Sequence, residues 1–203
     1  MSLSFVMVWS DDTALLRHPF GRYAVLGKNE ASSTWRSAGL RIAKLMFTLG
    51  LFVSISTTGR VVPIQVASTM LAWLFTPLVQ AFAVLFVARV FRRDASRARV
   101  LDLYFAGHGP WLVLMWIAAG IVAVPPNPTE IFFFLLGKGI LPLLLVGAFV
   151  WSVVLNVAMF RTGLGLSRGK TALATALFYV LFVGQVVGYY FFNDAIQPQL
   201  GMR

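Results

Sequence analysis

Residues Val66–Ala88 read VASTMLAWLFTPLVQAFAVLFVA, 23 positions without one charged side chain. Wound as a helix, such a run covers about 35 Å, enough for the roughly 30 Å hydrocarbon core of a bilayer. Its apolar character is continuous, whereas a membrane barrel alternates over segments of roughly 10 residues. A helix also satisfies every backbone N–H and C=O within one segment, as lipid requires. The stretch therefore reads as a transmembrane helix.

The same ruler finds four more candidates. Leu40–Thr58 has Arg41 and Lys44 at its threshold, whose long side chains are expected to snorkel to the headgroups. Phe105–Val124 is closed by Pro125-Pro126-Asn127-Pro128. Gly139–Phe160 follows a short interfacial turn at Ile131–Gly137, with Lys138 and Pro142 as interruptions. Thr171–Phe192 is capped by Asn193-Asp194. The expected fold is all-α: a polytopic bundle of five transmembrane helices (40–58, 66–88, 105–124, 139–160 and 171–192). A cytoplasmic or interfacial segment, 1–39, precedes it, and a short external tail, 194–203, follows. Within the first segment, Asp12 is placed to cap a short helix that His18-Pro19 ends.

Composition agrees. Apolar residues make up 59% of the 203 and charged residues 12%, against roughly 45–50% and about 25% in soluble domains. So few charges leave a water-soluble globule of this size without a polar cover. The absence of cysteine excludes disulfides, thiolate metal sites and a cysteine nucleophile.

The formal charge of +10 sits in loops and not on a nucleic-acid face, so no nucleic-acid partner is expected. Arg17, Arg22, Lys28, Arg36, Arg41 and Lys44 lie before or at the start of the first span. Arg89, Arg92, Arg93, Arg97 and Arg99 follow the second, and Arg161, Arg168 and Lys170 follow the fourth. That places fourteen of seventeen bases on one side, leaving Arg60, Lys138 and Arg203 for the other. By the positive-inside rule the N-terminus is cytoplasmic and the C-terminus outside, with a bacterial inner membrane as the expected location.

Chemistry is sparse. The predicted spans contain no Asp or Glu, which argues against a proton-coupled pump or an intramembrane aspartyl or metalloprotease. No phosphate loop, His-Glu-x-x-His or zinc-ligand cluster is present. Gly163–Lys170 is glycine-rich and basic but reads as a flexible inter-span loop. No catalytic residue, metal ligand or resident cofactor is assigned, and an enzyme is not expected. A membrane enzyme would have to use His108 with Asp102 or Tyr104. His108, between Gly107 and Gly109, reads as a hydrogen-bonded interfacial histidine, with haem or pigment ligation as the sharper alternative.

Gln80, Asn156 and Gln185 are expected to hydrogen-bond between helices, and Pro77 and Pro142 to kink theirs. Gly184 and Gly188 form a small-x-x-x-small step for helix packing. Arg92, Arg93, Arg97 and Arg99 offer a surface for anionic lipid or a partner.

Asp102-Leu103-Tyr104, followed by Gly109-Pro110-Trp111, resembles the Asp-Leu-Tyr-Gly-Pro signature of the Yip domain family, membrane proteins named as interactors of Ypt/Rab GTPases. Phe105-Ala106 ahead of Pro110 resembles the bacterial form, as does His18-Pro19 in the N-terminal segment. The resemblance covers about Pro19 to Tyr190 and implies five spans, a cytoplasmic N-terminus and no catalysis. The expected function is a scaffold or accessory subunit working with other integral membrane proteins and membrane lipids. The rivals are a small transporter, channel or lipid-handling protein, and a pigment- or haem-associated subunit. The charge asymmetry makes one direct forecast. A reporter active only outside the cytoplasm should work when fused after Arg203 and stay silent when fused after Arg99 or Gly169; the opposite pattern rejects the orientation.

Overall fold

The computed structural model describes residues 11–28, 35–92, 94–123 and 130–191. Expectations for Arg93, for the tail 194–203 and for the first ten residues fall outside them. Residues 11–17 form α1, followed by α2 (Pro19–Lys28), α3 (Trp35–Thr58), α4 (Pro63–Ala72) and α5 (Phe75–Phe91). Next come α6 (Arg97–Ala106), α7 (Gly109–Ala123) and α8 (Glu130–Ala158), a π-helical turn (Met159–Gly163) and α9 (Arg168–Phe191). Among the described residues all regular structure is helical.

Four stretches are long and apolar enough to cross a membrane: Trp35–Thr58, Pro63–Phe91, Ile140–Gly163 and Arg168–Gly188. The pair α6 and α7, bent by 40°, makes a fifth if taken as one span. Their outward surfaces are apolar: Ile64, Leu71, Leu143 and Val180 are each about 70% exposed or more. Contiguous apolar exposure on this scale suits hydrocarbon rather than water.

Two of the stretches are broken, and proline explains both breaks. Pro77 has no N–H to donate to the Trp73 carbonyl, and its ring crowds that oxygen. The helix parts at Trp73–Leu74, and Thr76 N donates to Trp73 O instead (3.0 Å). Pro110 does the same to the Ala106 carbonyl, and Gly107 N folds back onto Tyr104 O (3.0 Å).

Several expected boundaries move. The helix that carries the first expected span starts at Trp35, ahead of Leu40, and Arg41 and Lys44 are buried inside the helix bundle. The third begins its helix at Arg97 and breaks at Gly107–His108, inside the expected run. The fourth is one helix from Glu130 that passes through Lys138 and Pro142, with no separate interfacial turn. A long transmembrane helix tolerates one interior proline, whose freed carbonyl finds other donors. Asp12 lies within α1 and is not its cap. As expected, α1 ends at Arg17, ahead of His18-Pro19, and Pro19 opens α2, where its missing N–H has no intrahelical acceptor to lose.

The buried core gathers at one end of the bundle. Leu15 and Tyr23 of the N-terminal helices join Leu103, Phe105, Leu155, Met159 and Phe160, all almost fully buried. Residues of α1 and α2 are thus part of this core. The backbone of α2 meets the π turn at Gly27, where a Cβ would lie 2.6 Å from Gly163 O. The linker after the π turn is pinned: Gly165 adopts φ +68°, Arg161 Nη1 donates to Leu166 O (2.6 Å) and Arg92 Nη1 to Leu164 O (2.5 Å). It is an anchored turn and not the flexible loop its glycines suggest. Gly27→Val should lower the unfolding midpoint in detergent by an amount equivalent to about 1–3 kcal/mol, the usual cost of overpacking; an unchanged midpoint would refute the close approach.

Candidate functional site

Two polar features interrupt the apolar interior. The first is an ion network at the crowded end. Arg41 Nη2 donates to Asp11 Oδ2 (2.6 Å) and Arg41 Nε to Asp102 Oδ1 (2.8 Å). Arg22 holds the other oxygen of Asp11 through Nε (3.1 Å) and Nη2, and Lys44 Nζ donates to Asp12. Three carboxylates face three bases, and all but Arg22 are buried. Arg41 and Lys44, expected to snorkel, instead turn inward because α1 brings acids to them. Burial is the largest influence on Asp12 and raises its carboxyl pKa; the Lys44 ammonium, then Arg41, oppose it. Tyr23 is raised in the same way, its phenol held between α2 and Gly107.

The second feature is a cavity of about 390 Å³. Leu45, Met46 and Leu49 of α3 form one wall, and Phe178, Tyr179 and Phe182 of α9 another. Both helix breaks open onto it: Trp73, Thr76 and Gln80 from the α4–α5 break, and Tyr104, His108 and Trp111 from the α6–α7 break. Ser152 and Asn156 of α8 close the ring. Among the described residues no Asp, Glu, Lys or Arg lines it.

His108 is buried, stacked on Phe105 (centroids 5.1 Å apart, 24° between planes) and edge-on to Tyr104. Its Nε2 lies 3.2 Å from Gln80 Oε1, which fits an N–H donated to the amide oxygen. Its other ring nitrogen, Nδ1, faces the backbone carbonyl of Tyr104 one helical turn earlier without a hydrogen bond of regular geometry. Thr76 Oγ1 and Ser152 Oγ, also buried, have no hydrogen-bond partner. Asn156 Nδ2 donates to the Tyr179 hydroxyl (2.9 Å). An unsatisfied buried hydroxyl costs about 1–3 kcal/mol, and these groups converge on one cavity.

The space in front of Gly107 and Gly109 is already filled. A Cβ on Gly107 would meet the Tyr23 hydroxyl at 2.6 Å, and one on Gly109 would touch Leu16 and Asp12 of α1. The small residues admit the N-terminal helices. Tyr104 meets His108 through ring contact, and Asp102 is engaged by Arg41. Among the described residues no group of three or more His, Cys, Asp or Glu could hold a metal ion.

The basic loop divides by role. Arg99 donates to Gly27 O and Arg92 to Leu164 O, so both tie helices together. Arg92 also pairs with exposed Asp94 (3.0 Å), and Arg97 is exposed. Gly184 and Gly188 face outward, with nothing within 4 Å of a Cβ at either, so they pack no helix among the described residues. Asp102, Tyr104, Gly109 and Pro110 all lie at the α6–α7 bend or on the helix leading into it.

Ser152 and Tyr179 escaped the reading of the sequence. A signal was there: polar pairs four apart in apolar runs, Thr76/Gln80, Tyr104/His108 and Ser152/Asn156, each lie close on one side of their segment. Asp11, Asp12 and Arg22 had no such signal, since their partners lie 11 to 32 positions away.

By fold, the chain is an all-helical protein with several helices long and apolar enough to cross a membrane. No family model, curated protein or solved structure matches it.

The network gives the sharper stability test. Asp102→Ala leaves Arg41 buried with a partner lost, which typically costs about 3–5 kcal/mol. Thermal unfolding in detergent should show that loss, whereas Asp94→Ala, at an exposed pair, should leave the midpoint where it was. Equal effects at the two sites would contradict the burial of the network.

Proposed function

We propose that this chain is a non-enzymatic, multi-pass membrane protein that holds a neutral, largely apolar molecule in the cavity at its two helix breaks. The single observation behind this is the wall of that cavity. Trp, Tyr and Phe side chains supply its surface, and the unpartnered hydroxyls of Thr76 and Ser152, with the His108–Gln80 pair, supply a few fixed hydrogen-bonding points. Ligand sites have this make-up, and about 390 Å³ lies within their usual range of roughly 300–1,000 Å³. The missing charge on the wall favours an uncharged guest, since a buried ion without a counter-ion is costly. The reading belongs to the lipid-handling class.

In this reading the basic end faces the cytoplasm of a bacterial inner membrane, and five spans result when α6 and α7 cross as one bent unit. The Yip-like scaffold reading keeps one foothold, the outward Gly184–Gly188 step, which would suit a helix of a larger complex.

The test is extraction. Protein purified in mild detergent should release a neutral lipophile into organic solvent near one per chain, read by mass spectrometry. Ser152→Phe, which fills the cavity, should remove most of it while helical content and the elution volume stay as in the parent. A parent that carries nothing after incubation with total membrane lipid, or a variant that carries as much as the parent, overturns the proposal.

A further inference from the structure

A second cleft, of about 410 Å³, lies on the other face of α5, between its last turns and the start of α6. Phe82, Leu85 and Phe86 form its apolar side, and Arg89, Arg92 and Arg97 its basic side. The order along α5 matters. Phe82, Phe86 and Arg89 follow at intervals of four and three, so they lie on one stripe of the helix. Phe82 and Phe86 are 60% and 46% exposed, with their rings stacked 6.4 Å apart. The stripe therefore runs from an outward aromatic surface, inside the apolar stretch Pro63–Phe91, to guanidinium groups at its end. Arg97, exposed at the first position of α6, approaches from across the turn. Asp94, paired with Arg92, offsets one of these charges.

We infer that this cleft binds one anionic phospholipid, with the phosphate between Arg89 and Arg97 and an acyl chain along Phe82 and Phe86. Charge complementarity selects the headgroup, because arginine presents a planar fork to phosphate oxygens. The adjoining aromatic stripe selects a lipid over a soluble phosphate, since only a lipid fills both halves. Arg92 is committed elsewhere, since its guanidinium already holds the Leu164 carbonyl and Asp94. The inference is independent of the central cavity, which among the described residues has no charged side chain on its wall.

The experiment is native mass spectrometry of the full chain in micelles doped with equal phosphatidylglycerol and phosphatidylcholine. The parent should retain one phosphatidylglycerol with about thirtyfold preference, the strength of two bases near an anionic surface. Arg89→Gln with Arg97→Gln should bring the preference close to one, and Phe86→Ala should weaken retention of both lipids without changing charge. Arg36→Gln with Lys170→Gln removes the same net charge from exposed positions elsewhere and should leave the preference intact. Equal losses in the two double variants would make the effect diffuse charge and overturn the site. Displacement of the lipid by millimolar inorganic phosphate, or unchanged retention in Phe86→Ala, would overturn the lipid as its occupant.

Discussion

The fold depends on one guanidinium. Arg41 lies between Asp11 of α1 and Asp102 of α6, and so ties the N-terminal segment, the first long helix and the helix before the bend into one unit. Desolvating five ionisable groups is expensive, and the cost is met only because the three acids face Arg41, Lys44 and the half-buried Arg22. The arrangement has little tolerance: without α1, Arg41 and Lys44 would need water or headgroups, and α3 would have to shift to reach them. The network therefore dictates where α1 sits. It also explains why Gly107 and Gly109 are small, since Tyr23 and α1 occupy the space beside them.

That constraint places the cavity. With α6 fixed by Asp102, the chain must bend before α7 can run along the bundle, and Pro110 supplies the bend at Gly107–His108. The proline break in the neighbouring segment, at Trp73–Leu74, lies opposite, because Gln80 reaches His108 at 3.2 Å. Two broken helices facing each other cannot interdigitate as two regular ones do, and the volume between them is the cavity. The wall's polar groups come from the same residues that border the breaks. The site is thus a consequence of how the bundle is tied at its crowded end.

Much of the architecture was legible in the residues. Long apolar runs have one stable form in lipid, so Val66–Ala88 and Thr171–Phe192 needed only a length rule: the first lies within the helical stretch 63–91, and 171–191 of the second within 168–191, Phe192 being outside the described residues. The breaks were half legible: proline marked them, but Pro77 opens the helix four residues ahead of itself. The ion network was not legible. Arg41 looks like a membrane-edge base from its neighbours, and its partners lie 30 and 61 positions away. A hydropathy window sees a charge and ends the span, whereas the fold pairs the charge and continues the helix. The glycine pair 184/188 shows the converse, since spacing permits close approach but only a neighbour makes it, and among the described residues none is there.

The same logic separates the two kinds of arginine in the loop after α5. From the sequence, Arg92, Arg97 and Arg99 are equivalent bases. In the fold, Arg92 and Arg99 donate to backbone carbonyls of Leu164 and Gly27, each 72 positions away, where they satisfy groups the helix and turn ends leave open. A side chain committed to a carbonyl is poorly placed to follow a mobile headgroup. Arg97 and Arg89, both exposed, line the cleft at the end of the aromatic stripe. Net charge and loop position set which side of the membrane these bases choose; hydrogen bonding to the fold then sets which of them hold the protein together and which face outward.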